Sequence, residues 1–230
     1  MKSYEEKIGF IGTGAIGLPI AANLISNGYK LNVLNRCLSK SLRTKLHGAE
    51  FSDSLENIFI SSSIIFICLP DEKSIKDVLL DKDKNLKKTI HETLIINIST
   101  ISPKFSFDIY KLLKLKGVGY IDCPVTGGTE GAKNAELTIF IGCEDKYLSR
   151  SIPILRCIGK NIHHFGLPGK SQEVKAINQI LVAGSYMALA EAIALGKKLN
   201  LPMEEVIKAL KTGAASSWAL ENRSSNMIKG

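Results

Sequence analysis

Two residues three positions apart, Lys175 and Asn178, stand near the start of a long apolar stretch. On a helix they share a face, and an ammonium beside an amide on such a helix is suited to giving or taking a proton. Far upstream, Gly12, Gly14 and Gly17 have the spacing G-x-G-x-x-G. Between a strand and a helix, that spacing makes a tight turn, lets backbone approach a pyrophosphate, and packs helix on strand. Ala15 and Ile16 lie in the same turn, where free N–H groups and the helix dipole favour phosphate. Two further loops, Ser99-Thr100-Ile101-Ser102-Pro103 and Pro124-Val125-Thr126-Gly127-Gly128, offer hydroxyls and glycine amides. Such groups hold a carboxylate without an arginine. Singly, each has a plainer reading: Lys175 as a solvated charge, Ser102 before Pro103 as a helix N-cap.

The elements that must position these residues follow from periodicity. The run Lys7-Ile8-Gly9-Phe10-Ile11 suits a strand buried on both faces. After the glycines, Ile16, Ile20, Leu24 and Ile25 recur at helical spacing, Pro19 fits the first turn, and Asn27-Gly28 stops the helix. Residues 29–34 alternate as a second strand, which completes a βαβ unit. Short helices are expected over 39–46, 73–80 and 102–115, and strands over 64–69, 93–98, 118–122 and 137–142. Repeated βα units predict an α/β fold with a Rossmann-type, doubly wound parallel sheet. The character changes near Phe165. Residues 171–199 read as one long helix, apolar round much of its circumference and so expected to be widely buried, between two domains or in a subunit interface. Helices over 203–211 and 217–227 follow. The expected domains are 1–165, a dinucleotide-binding sheet domain, and 166–230, an incomplete all-α domain.

The end of the second strand selects the dinucleotide. An NAD site usually carries Asp or Glu there for the ribose 2′-hydroxyl. This chain has Asn35 and Arg36, with no carboxylate to repel a 2′-phosphate. A guanidinium pairs well with that phosphate, so NADP(H) is expected over NAD(H), which stays possible.

Composition narrows the alternatives. The net charge is +8, but Lys and Arg are spread along the chain, often beside acids, as in Asp81-Lys82-Asp83-Lys84. That argues against nucleic acid. No apolar run reaches the ~18 residues of a membrane span, and the N-terminus lacks a hydrophobic signal region, so no membrane partner and a cytoplasmic location are expected. Five cysteines without a C-x-x-C pair read as reduced thiols, and the histidines show no metal spacing.

Taken together, the opening glycines, Leu69-Pro70-Asp71, I-N-I-S-T-I-S-P from Ile96, D-C-P-V-T-G-G-T-E-G-A from Asp122, and the K-A-I-N-Q segment from Lys175 resemble the β-hydroxyacid dehydrogenases. That family includes 3-hydroxyisobutyrate dehydrogenase, tartronate semialdehyde reductase and glyoxylate–succinic semialdehyde reductase. The resemblance covers residues 7–230 in order. It implies reversible hydride transfer between a nicotinamide and a small anionic 3-hydroxy acid or its semialdehyde. It implies cofactor contacts at Leu69, Pro70, Ser74 and Thr100, and substrate contacts at Ser99, Thr126, Gly127 and Gly128. Lys175 matches the catalytic lysine and Asn178 its companion. A homo-oligomer joined through the long helix, as a dimer, is expected.

The chain also departs from the family. Its members usually continue past the point where this sequence stops, so a non-catalytic NADP(H)-binding module is the alternative expectation. Asn97 stands where Asp is common, Ser171 replaces a glycine before the lysine, and Ala135-Glu136 and Cys143 replace Gly-Thr and Gly.

Overall fold

A computed structural model of the chain describes residues 6–35, 45–83, 87–90 and 93–229. They fall into two compact units, residues 1–175 and 176–230, with the division inside the long helix.

The first unit is built on six parallel strands: β1 (Lys7–Ile11), β2 (Lys30–Leu34), β3 (Glu50–Phe51), β4 (Ile64–Ile67), β5 (Leu94–Asn97) and β6 (Gly119–Asp122). Their order is β3-β2-β1-β4-β5-β6, the doubly wound order with its topological switch between β1 and β4. The apolar runs are continuous because both faces are buried. Ile8, Phe10, Ile64, Phe66, Leu94, Ile96 and Ile121 belong to one core, and Ile65, Ile67, Ile95 and Tyr120 to the other. Alternation along each strand sorts neighbours onto opposite faces. Phe10 and Phe66 pair across β1 and β4 and stack at 5.7 Å between ring centroids.

Helices cover both faces. On the first lies α1 (Gly17–Ser26), which buries Ile20, Ala21 and Leu24. On the second lie α2 (Leu55–Ser61), α3 (Glu72–Leu79) and α4 (Pro103–Lys114). Each helix on the second face starts on a side-chain cap. Ser54 Oγ accepts from the Asn57 N–H at 3.2 Å, Asp71 Oδ1 from Ser74 at 2.7 Å, and Ser102 Oγ from Phe105 at 3.3 Å. The plain capping reading of Ser102-Pro103 therefore holds.

Several elements differ from expectation. The strand expected over 137–142 is β8 (Leu137–Ile141), and it lies outside the main sheet. It joins a second, three-stranded sheet with β7 (Val125–Thr126), antiparallel, and β9 (Gly159–His164), parallel.

 Periodicity cannot say which sheet an apolar run will join, because the pairing partner is a tertiary choice. The two-residue β3, together with α2, α5 (Gly128–Lys133) and α6 (Leu148–Leu155), was not expected. The helix expected over 39–46 lies mostly outside the described residues.

The long helix α7 runs Lys170–Lys198. In the second unit it is joined by α8 (Met203–Leu210) and α9 (Trp218–Lys229). Leu189, Ile193, Met203, Ile207, Ala219 and Leu220 form the core there. The helices pack closely at Gly196, where a Cβ would stand 2.2 Å from Met203 Sδ. Within a single copy of the chain α7 is only partly buried: Ile177, Ile180 and Leu181 are 60%, 73% and 70% exposed. In this unit α8 and α9 cover one stripe of α7, not its circumference. The expectation about apolar runs also needs correction. By length and composition α7 could cross a membrane, with a mean hydropathy of 1.4 over an 18-residue window. Uncharged polar residues break a strict run but scarcely lower such an average.

Ala135 departs from the family's glycine at a position where the backbone is left-handed, with φ of 55°. A Cβ in that region costs ~1–2 kcal/mol, partly offset by the lower unfolded-state entropy of alanine. Ala135→Gly is expected to stabilise the chain by up to ~1 kcal/mol, read as a higher urea midpoint at unchanged slope. An unchanged or lower midpoint would contradict this account of the turn.

Candidate active site

Three strand ends meet where the sheet reverses direction. Gly12 donates its N–H to the Leu34 carbonyl at 3.2 Å, and Cys68 donates to Ile11 at 2.9 Å. The glycine spacing follows from this crowding. A Cβ on Gly12 would lie 2.2 Å from the Cys68 carbonyl oxygen, and Gly12 has φ of 96°. A Cβ on Gly17 would lie 2.1 Å from the Gly12 carbonyl oxygen. Gly14 is different: a Cβ there would meet nothing within 4 Å. Its bare backbone faces open space.

That space is a cavity of about 830 Å³. Gly12, Gly14, Ala15, Ile16 and Gly17 line one side, Asn35 the end of β2, and Leu69, Pro70 and Ser74 the loop and helix after β4. Nine of the eleven expected cofactor positions thus come together. Thr100 does not: it is exposed and absent from the cavity wall. Arg36 lies outside the described residues. The donor set fits a dinucleotide, with the start of α1 directed at an uncrowded glycine turn. Thr13 Oγ1 is buried beside it with no hydrogen-bond partner among the described residues.

The cavity wall also holds residues not anticipated. Asp53, after β3, and Asp77, on α3, both line it. The expectation that no carboxylate stands at this end is corrected for the neighbouring strand: Asp53 shares the cavity with Asn35. It accepts from Asn57 Nδ2 at 2.7 Å. Because β3 has only two residues, no strand pattern marked its end as part of the site. Burial pushes the Cys68 thiol up to about 11, which keeps it protonated on the wall.

The hydroxyl loops leave the carboxyl ends of β5 and β6. Ser99 is buried, and its Oγ accepts the Leu69 N–H at 2.9 Å, which ties the loop after β5 to the cavity wall. Asn97 links β6 to the loop after β5. Its Nδ2 donates to Tyr120 Oη at 3.0 Å, and its Oδ1 accepts the Ser99 N–H at 3.1 Å. Thr126 is half-buried on β7, and Gly127 and Gly128 begin α5 with φ of 128° and 65°.

Lys175 is 8% exposed, and among the described residues it has no ion pair or hydrogen bond. Desolvation draws its amine below the ordinary lysine value of 10.5. The first turn of α7, which precedes it, is held by side chains of the sheet domain. Gln172 donates to the Ser99 carbonyl at 3.0 Å and to Asp122 Oδ1 at 2.6 Å. Asn178, in the second unit, is half-buried and donates to Gln179 Oε1 at 3.0 Å.

Comparisons with known proteins bear on the family and the fold. Residues 7–166 match the profile described as the NAD binding domain of 6-phosphogluconate dehydrogenase. Residues 169–230 match that described as NAD-binding of NADP-dependent 3-hydroxyisobutyrate dehydrogenase. The chain is 32% identical to 2-(hydroxymethyl)glutarate dehydrogenase of Eubacterium barkeri, over 96% of this chain and 74% of that protein. It is 34% identical to 2-hydroxy-3-oxopropionate reductase of Escherichia coli, over 97% and 76%. Among solved structures, it superimposes on Mycobacterium tuberculosis 3-hydroxyisobutyrate dehydrogenase with L-serine at a TM-score of 0.81 and 25% identity, covering 96% of this chain and 75% of that one.

Gly14→Ala separates fold from binding. Its methyl has room in the protein but occupies the space a pyrophosphate needs. The melting temperature is expected to hold, while dinucleotide affinity falls at least ~10-fold, or ~1.4 kcal/mol. Fluorescence titration and thermal melting on one preparation check both halves. Undiminished affinity would remove the cavity from consideration.

Proposed function

The chain belongs to the β-hydroxyacid dehydrogenase family, and on that premise we propose that it moves a hydride between NADP(H) and the alcohol carbon of a small 3-hydroxy acid or its semialdehyde. The observation that carries the catalytic part is the near-complete burial of Lys175 without a counter-charge. An amine in that setting exchanges its proton more readily than a solvated lysine does.

A bound nicotinamide supplies or takes the hydride; the chain's residues handle the proton and the carboxylate. In reduction, negative charge grows on the carbonyl oxygen, and protonated Lys175 stabilises it and gives up its proton. In oxidation, Lys175 must begin neutral to accept the hydroxyl proton. Desolvation lowers its pKa, which enlarges the neutral fraction at a given pH. Thr126, with the amides of Gly127 and Gly128, suits a substrate carboxylate, joined by Ser99. Asn178 is assigned the role of orienting that carboxylate or the amine.

The preference for NADP(H) rests on Asn35 and Arg36. Asp53 counts the other way, since a carboxylate in that cavity repels a 2′-phosphate. Tighter binding of NADPH than NADH is the expected result of a paired titration, with the margin widened by Asp53→Asn.

The remaining apolar surface of α7 supports a protein partner. Ile177, Ile180, Leu181 and Met187 are exposed, and a second copy of the chain would cover them. Exposed Gln179 and Glu191 share this helix, which suits a subunit interface better than a hydrocarbon interior.

A panel of small hydroxy acids and semialdehydes, assayed with both cofactors, tests the reading. Turnover with at least one 3-hydroxy acid pair is expected. Lys175→Ala is expected to lower turnover by ~10²–10⁴-fold while cofactor affinity stays. The rate of oxidation is expected to rise with pH through an ionisation below 10.5 that Lys175→Ala removes. Cofactor binding with no oxidation of NADPH across the panel would replace this reading with that of a binding module.

A further inference from the structure

The carboxylate of Asp122 is fully buried at the carboxyl end of β6 and is surrounded by donors from the start of α7. Its Oδ2 accepts the Gly169 N–H at 3.0 Å and the Ser171 hydroxyl at 2.7 Å. Its Oδ1 accepts from Gln172 Nε2 at 2.6 Å. The other hydrogen of that amide goes to the Ser99 carbonyl, and Gln172 Oε1 accepts the Ile101 N–H at 3.2 Å. A backbone carbonyl can only accept and a backbone N–H can only donate. The orientation of the Gln172 amide is therefore forced, and with it the demand that Asp122 accept.

The packing reserves space for this arrangement. A Cβ on Gly142 would stand 2.8 Å from Ser171 Oγ, so only glycine there admits the serine. Backbone bonds between Asp122 and Gly142, at 2.9 and 2.8 Å, hold the two in place. The start of α7 cannot turn or slide without breaking bonds to a buried carboxylate. Lys175 lies three residues after Gln172 and four after Ser171, on the same helix face. On the other side of the network, the Ser99 hydroxyl holds Leu69 on the wall of the dinucleotide cavity.

We propose that Asp122, Ser171 and Gln172 are positioning residues for Lys175. They fix the first turn of α7 against the loop at Ser99, and so set where the amine stands relative to the cofactor and substrate. Ser171, standing where the family usually has glycine, supplies a donor that glycine lacks. The proposal rests on the reading of Lys175 as the proton donor, so its test needs one readout that does not depend on turnover.

Lys175 is followed directly by reductive ¹³C-methylation and NMR titration of the intact protein, with its signal assigned by loss in Lys175→Arg. Two mild variants, Ser171→Ala and Gln172→Met, are compared with the more severe Asp122→Asn. In the mild variants the Lys175 pKa is expected to climb toward the ordinary value by about half a pH unit or more, as the turn loosens and water reaches the amine. Turnover is expected to fall ~10–100-fold with cofactor affinity unchanged. In a Lys175→Ala background the same substitutions should cost almost nothing further, because they act through the missing amine. An unmoved Lys175 titration in both mild variants overturns the proposal, as does an equal loss of turnover in the two backgrounds. A moved titration in a protein that turns over no hydroxy acid leaves the positioning intact and sinks the proposed reaction.

Discussion

The close approach of backbone at the switch point constrains everything built around it. Between β1 and α1 the chain turns against the Cys68 carbonyl, with no room for a Cβ at Gly12 or Gly17. Two consequences follow from this contact. Parallel β1 and β4 stay adjacent through their last residues, which continues the two cores to the edge of the sheet. The start of α1 is also pulled against the sheet, so its unpaired N–H groups point into the cavity rather than across the surface. The third glycine, Gly14, has no such packing duty. Its openness is a feature of the binding surface rather than of the fold.

Much of this was legible in the chain because two periods coincide with one spacing. Strand, glycine turn, helix and strand over residues 7–34 state a βαβ unit with little ambiguity. The remaining parallel strands announce themselves as apolar runs, since both faces are buried. What could not be read has a common physical cause: it depends on partners far away in sequence. The run at β8 reads the same whichever sheet it joins. Asp53 enters the cavity through a strand of two residues, too short for any alternation to show. Asp122 and Gln172 are ordinary polar letters until burial surrounds them. The outward-facing half of α7 reads as core, because apolar spacing reports what a helix can bury and not what covers it. Spacing made Lys175 a candidate beside Asn178, but as a lone lysine it had a better claim to be solvated, and only the resemblance favoured the catalytic reading.

Two charges are nevertheless buried in the first unit near its active loops, and they are treated in opposite ways. Asp122 has three donors for its two oxygens. Burial pushes its carboxyl up, and the Gln172, Ser171 and Gly169 bonds pull it back. Lys175 has desolvation alone. If Asp122 served stability only, an apolar residue of similar volume would do as well, since several kcal/mol of desolvation offset what a buried charge gains from its partners. Its distinct contribution is direction. Three donors converge on one carboxylate in one geometry, and an apolar contact has no such preference.

The absence of partners at Lys175 has the complementary logic. An amine held by a carboxylate would keep its proton and have its pKa raised. It would be a good structural cation and a poor participant in reversible proton transfer. Placing the acid one turn earlier, on the backbone and amides that begin the helix, anchors the lysine without neutralising it. Orientation and reactivity are thereby assigned to different residues of the same helical turn. The departure of Ser171 from glycine adds a donor to the anchor without giving the amine a partner of its own. For that reason, substitutions at this position can alter how firmly the lysine is held while the groups that meet cofactor and substrate stay the same.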